Sequence, residues 1–328
     1  MASRPNWLFW TMSAVISWGV WGLLSKYISG ELTPEQTQAA SVLGMIPVLV
    51  WLLMQRPGRR DVDQGYKNGC RTGVLVALAS GVVSAVGNLP FFRLLSMGEK
   101  AATVVPLTAL APLVTILLAV PFLGERLSKT QIIGAVLSLA AIYFLNIPSE
   151  QGFFSSQLRL AIWPIVLWGT TGFLQKLSGR WLSGEATAVW FLAGFMPFSL
   201  LLLVPHPLPA SISVGLWIAV VALGFLLAFG NIAVIQAFSS GGQASVVMPV
   251  ANLYPLVTIA LSIMLLGERI GLRETIGTIL AVLAIAALAK EPIAKPPNDS
   301  SNVPFHEKDG QTTDLFSPHF MSGESLAG

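Results

Sequence analysis

This sequence predicts an all-α integral membrane protein in which ten transmembrane helices form two inverted five-helix repeats. Three observations carry that reading. Hydrophobic residues make up 54% of the 328 positions and charged residues only 11%. A soluble chain carries roughly 25% charge to cover its surface, so lipid must be part of the solvent here. The apolar residues also gather into ten stretches of about 20, the length that crosses a bilayer. Finally, the chain says nearly the same thing twice. Residues 110–126, L-A-P-L-V-T-I-L-L-A-V-P-F-L-G-E-R, return as residues 253–269, L-Y-P-L-V-T-I-A-L-S-I-M-L-L-G-E-R, with eleven of the seventeen positions identical at an offset of 143. Trp18-Gly19-x-x-Gly22-x-Leu24-x-Lys26 likewise returns as Trp168-Gly169-x-x-Gly172-x-Leu174-x-Lys176 at an offset of 150.

The first unit, 7–147, holds stretches 7–26, 37–55, 74–95, 101–122 and 130–147. The second, 159–290, holds 159–177, 186–204, 214–237, 244–265 and 273–290. Their length and their Leu, Ala and Gly content favour helix, and backbone in hydrocarbon must satisfy its own polar groups. The N-terminal stretch aligns with the internal one around Trp168, so it is expected to stay as a helix and not to be cleaved as a leader. The fall in offset from 150 to 143 puts a seven-residue difference in the loop between the second and third helices of each unit. Loops tolerate such changes and packed helices do not. From 291 onward Pro, Ser, Asp and Gly replace the apolar pattern, and 291–328 reads as a disordered cytoplasmic tail.

With a cytoplasmic N-terminus, thirteen Lys and Arg fall on the inner side and six on the outer, Arg269 and Arg273 running against the trend. Both termini are therefore expected in the cytoplasm, with the chain in the plasma (inner) membrane. Five helices per unit make the second unit start from the opposite face, which relates the units by a pseudo-two-fold axis in the membrane plane.

Composition also excludes functions. Three histidines and the single Cys70 provide neither a disulfide framework nor a Cys/His metal site, so no metal and no cofactor is expected. No helix carries a basic stripe, which argues against a nucleic-acid partner and leaves the basic residues as membrane anchors. There is no G-x-x-x-x-G-K-[ST] loop, no H-E-x-x-H, and no nucleophile with a nearby base, so the chain is not expected to be an enzyme. No Asp, Glu or His falls in the middle of a stretch. Proton-driven pumps usually carry such a relay, so any coupling proton would fall to Glu125, Glu268 or the solute.

The remaining candidates come in pairs. Leu123-Gly124-Glu125-Arg126 and Leu266-Gly267-Glu268-Arg269 each close a helix. Ser128 and Gln131 after the first have capping-box spacing, and Gly271 and Glu274 take those places after the second. The glutamates thus read as parts of structural turns or as coupling carboxylates. Pro106 and Pro112 recur as Pro249 and Pro255. A proline inside a helix has no N–H and displaces the carbonyl four residues back, here those of Ala102, Thr108, Ser245 and Ala251. In lipid this is tolerated where protein or a wet cavity supplies new partners. These prolines therefore either kink the helices for packing or line a pathway. Asn88 and Asn231 are equivalent, each after a glycine, and Asn252 and Tyr254 lie between the prolines of the ninth stretch. Such amides act as interhelical glue or as solute ligands. Trp18 and Trp168, near mid-depth, either pack or line a cavity. Lys26 and Lys176 end their helices, where snorkelling is the ordinary role. Arg93 and Lys100 face Gln236 and Gln243 as repeat counterparts, a mismatch confined to one side.

Two units, each with W-G-x-x-G near its start, then Ala101 to Leu107 or Ala244 to Val250, then a closing L-G-E-R, resemble the drug/metabolite transporter superfamily and within it the EamA-type family. The likeness covers about residues 10–290. It implies ten helices in inverted repeats around a central cavity, and transport of small organic solutes, often by export. The expected function is a secondary transporter of neutral or zwitterionic metabolites, amino acids or related solutes among them. It would work by alternating access, with Trp18, Asn88, Pro106, Pro112, Trp168, Asn231, Pro249, Asn252, Tyr254 and Pro255 around the solute. The alternative is a non-transporting membrane scaffold or binding subunit. The expected partners are the solute and the lipid bilayer; a homodimer is left open.

Overall fold

Helix caps set the pattern of the chain before any packing does. The computed structural model describes residues 7–55, 70–123, 128–145, 156–240 and 250–288. Among these, eleven helices run in order: α1 Trp7–Ile28, α2 Pro34–Met54, α3 Cys70–Ser96, α4 Ala101–Thr108, α5 Pro112–Leu123, α6 Lys129–Leu145, α7 Ser156–Ser178, α8 Gly184–Leu201, α9 Val214–Ser239, α10 Tyr254–Leu266 and α11 Leu272–Leu288. Thr33 opens α2 with a capping box. Its hydroxyl accepts the Gln36 backbone N–H at 3.2 Å while the Gln36 side-chain Oε1 accepts the Thr33 N–H at 3.1 Å. Ser183, 150 residues on, caps α8 through the Ala186 N–H. Ser128 and Gln131 do the same for α6, and Glu274 accepts the Gly271 N–H before α11 at 2.6 Å. Free N–H groups at helix starts are costly away from water, so each unit carries the same acceptors at the same places.

Two expectations are corrected. Residues 101–122, expected as one helix, are broken at Ala109–Ala111 into α4 and α5, and in the expected stretch 244–265, described from 250 on, a turn at Asn252–Leu253 separates the helical Val250 and Ala251 from α10. Pro112 removes an N–H, and the chain tightens into three-residue turns. Leu110 donates to Leu107, Ala111 to Thr108, Leu113 to Leu110 and Val114 to Ala111, all at 3.0–3.3 Å. The Thr108 carbonyl, expected to lose its partner, therefore regains one from Ala111. Leu253 donates to Val250 and Leu256 to Leu253 in the second break, both at 3.0 Å. Glu125, Pro249 and the tail 291–328 lie outside the described residues.

Among the described residues, six helical segments are long and apolar enough to cross a membrane: Trp7–Ile28, Pro34–Met54, Arg71–Ser96, Ala101–Phe122, Gly184–Leu201 and Val214–Val234. Lys129–Leu145 and Tyr254–Leu266 are shorter apolar helices. Polarity is turned inside out. Phe9, Trp51, Phe122 and Trp163 are exposed, while Gln38, Asn88, Ser138 and Ser199 are buried. Such a surface suits hydrocarbon, and the buried polar groups are there because helices meet through them.

The helices of the two units interleave. α2 crosses α9 where Gly44 lies against the Val221 carbonyl and Gly224 against that of Ser41; α3 crosses α8 where Gly81 lies against the Phe191 carbonyl and Gly194 against that of Leu78. Only a residue without a side chain lets backbones approach this closely. α6 and α11 run antiparallel. Gly134 touches Leu288 and Ala284 at one end, and Gly277 touches Leu145 at the other. α7 and α3 also run antiparallel, the Ser178 hydroxyl at the end of α7 reaching the Gly73 carbonyl at the start of α3.

Candidate functional site

The two repeated motifs do not meet within a unit; they meet crosswise. Gly19 and Gly22 of α1 receive Val257 and Thr258 of α10, and the Thr258 hydroxyl donates to the Gly19 carbonyl at 2.8 Å. Gly169 and Gly172 of α7 receive Val114 and Thr115 of α5, and the Thr115 hydroxyl donates to the Gly169 carbonyl at 2.7 Å. Each W-G-x-x-G thus seats the P-L-V-T of the other unit, just after its helix break. The Ala111 carbonyl, at the first break, and the Tyr254 carbonyl, at the second, face these glycines.

The tryptophan that opens each motif crosses to the other unit's third helix. Trp168 lies on Gly87 of α3 and Trp18 on Gly230 of α9. Around Trp168 the surroundings are aromatic and polar. Phe91 is 5.2 Å away and Trp21 6.1 Å, centroid to centroid. The Trp168 indole N–H donates to Asn88 Oδ1 at 3.0 Å. Asn88 Nδ2 donates to Gln38 Oε1 at 3.0 Å, Gln38 Nε2 to Ser199 Oγ at 2.7 Å, and Ser199 Oγ to the Phe195 carbonyl at 2.7 Å. Such a directed chain through four helices holds the indole in one orientation.

Around Trp18 the same geometry is looser. Its indole N–H reaches the Leu227 carbonyl at 3.5 Å, and Asn231 Nδ2 donates to that same carbonyl at 2.8 Å. Tyr254 stands edge-on to Trp18 at 5.9 Å. Ala188 and Leu49 occupy the places of Gln38 and Ser199. The structure thus brings Trp18 together with Tyr254, and Trp168 with Asn88. Pro106 and Pro255 are buried in packed helix, and Pro112 and Asn252 are half-buried at the breaks. Sequence reasoning missed Gln38, Ser199, Trp21 and Phe91. The available signal for Gln38 was an amide two residues past the capping Gln36, where the apolar text of α2 begins.

The L-G-E-R turn is built from its glycine. Gly267 sits in the left-handed region at φ 66° and ends α10. The chain turns there, and both Glu268 oxygens accept backbone N–H groups of the other unit's α4: Ala101 at 2.8 Å and Ala102 at 2.9 Å. A carboxylate at a helix start completes its free donors and meets the positive end of its dipole. A separate cleft of about 510 Å³, lined by Glu31, Leu32, Pro209, Ser211, Ile212, Ser213 and Leu216, opens where α1 ends and α9 begins. Among the described residues, no three His, Cys, Asp or Glu side chains gather as metal ligands.

Residues 5–147 and 157–289 each match the EamA-like transporter family. An uncharacterized protein of Methanocaldococcus jannaschii is 30% identical over 135 residues, covering 40% of this chain and 90% of its own length. That relative is about one unit long. A solved protein crystal structure shares the fold at a TM-score of 0.56 and 19% identity, covering 87% of this chain and 96% of that one.

Proposed function

The chain belongs to the EamA-like transporter family, and from that premise we propose that this multi-pass membrane protein is a secondary transporter of small organic solutes, working by alternating access between two inverted five-helix units, 7–147 and 159–290. The observation that carries the reading is the crosswise seating of each W-G-x-x-G on the other unit's broken helix. A break between packed helices is where transporters commonly bind their cargo, because backbone there can turn toward a solute. The antiparallel pairing of the equivalent helices α6 and α11 supports the inversion. The solutes are neutral or zwitterionic metabolites, amino acids among them, held by the walls of Trp18, Trp168 and Tyr254 with amides orienting them. Export is the direction, and both termini, with the tail 291–328, are cytoplasmic in the plasma (inner) membrane.

The test is counterflow in proteoliposomes of the purified protein, loaded with a mixed pool of amino acids and offered labelled ones. Solute-dependent exchange is expected, and it should persist without a proton gradient, since no carboxylate lies mid-helix. Absence of exchange with a tightly co-purifying partner would favour the scaffold reading. Impermeant labelling of cysteines at positions 124 and 267 should mark opposite faces; labelling from one face would sink the inversion.

A further inference from the structure

The repeat breaks its own symmetry in charge where α4 begins, α10 ends and α11 begins. Lys100, just before α4 in the first unit, sends its ammonium to Glu274 Oε1 of α11 in the second at 2.8 Å, and to the Arg269 carbonyl at 2.7 Å. Glu274 also accepts the Thr103 hydroxyl at 3.4 Å and the Gly271 N–H. Glu268 joins the same two units through Ala101 and Ala102. The side chain of Glu274 is only 10% exposed, and that of Lys100 38%. Partial removal from water makes the pair stronger than a surface pair, and separating it would strand a carboxylate with little solvent.

The counterparts 143 residues away are Gln243 for Lys100 and Gln131 for Glu274. Glu125 still stands where Glu268 does. Gln131 spends its amide on the Ser128 N–H and, at 3.4 Å, on the Leu288 carbonyl of the other unit. An ion pair therefore joins the units at this end, and the repeat-equivalent sequence positions are neutral amides.

Resting on the reading of alternating access, we infer that Lys100 and Glu274 form a gate latch that holds this end shut at rest, an ion pair that the repeat-equivalent Gln243 and Gln131 cannot form. Closing energy added at one gate shifts the population between the two facing states. Without the pair, this end loses that share of its closing energy.

The experiment is distance measurement by double spin labelling in a Cys70→Ser background, which needs no solute. One pair, at Met97 and Leu272, spans the units at the latch end; the other, at Lys129 and Arg180, spans them at the opposite end. All four positions are exposed. In the otherwise unaltered protein the latch-end pair should show one short distance. K100Q or E274Q should raise the ratio of long to short distances at that end by about three- to tenfold, the range between an exposed and a partly buried pair. K100R, which keeps charge and donors, should stay closed. Unchanged distances in both K100Q and E274Q would overturn the latch. If distances respond to these variants but proteoliposomes exchange no solute, the transport reading falls and the latch stands.

Discussion

Trp168 and Trp18 hold the same place in the two units, and each meets a glycine of the other unit's third helix, Gly87 or Gly230, yet they are held by different means. Trp168 ends a chain of four side-chain hydrogen bonds buried across α7, α3, α2 and α8. Trp18 shares one backbone carbonyl with Asn231 and leans on Tyr254. Shape has been kept through the duplication where backbones touch, because a glycine contact allows no other residue. Polarity has drifted, because Gln38 and Ser199 on one side became Ala188 and Leu49 on the other without changing the helix path. One wall of the candidate site is thus rigid and the other adaptable.

The largest effects should fall where the two halves are alike. Ala at Gly81 or at Gly224 drives a methyl into the backbone of Phe191 or of Ser41. Each should cost about 3 kcal/mol or more, read as thermal unfolding of the detergent-solubilised protein. Gly30→Ala, with open space around it, should stay within about 0.5 kcal/mol. Markedly unequal losses at positions 81 and 224 would break the claim that packing is shared.

The next effect separates the halves. Asn88→Ala leaves the Trp168 N–H and Gln38 Oε1 buried without partners and should cost about 2–3 kcal/mol, against about 1 kcal/mol for Asn231→Ala. Equal costs would erase the distinction between a rigid and an adaptable wall. Ser199→Ala, at the far end of the chain, frees one Gln38 proton and should cost about 1 kcal/mol by the same assay. The smallest difference is expected at the rings themselves. Trp168→Phe should lose about 1 kcal/mol by stranding Asn88 Oδ1, while Trp18→Phe, losing only a 3.5 Å contact, should change stability by less than about 0.5 kcal/mol. A reversed order would show that Trp18 is the anchored side.

Local chemistry was legible in the chain. The caps at Ser128 and Gln131, and at Gly271 and Glu274, follow from spacing alone, because a capping acceptor acts within one turn. The doubled prolines announced a disturbed helix, but whether they kink or break it depends on which turn bonds close around Ala109–Ala111, and the neighbours of that segment come from 50 or more residues away. Glu268 read equally as a turn residue or a coupling carboxylate; only the position of α4 decides that its oxygens are spent on two N–H groups.

By itself, the sequence determined that the chain is helical, bathed in lipid and duplicated, since composition, segment length and repetition are properties of the chain read along its length. Tertiary structure decided that each motif is completed by the other unit, that Gln38 and Ser199 steady one tryptophan and not its twin, and that Lys100 reaches Glu274. The reason is physical: hydrogen bonds and ion pairs between helices act over about 3 Å, and no periodicity along one strand of text records which residues a second, folded-over copy brings within that distance.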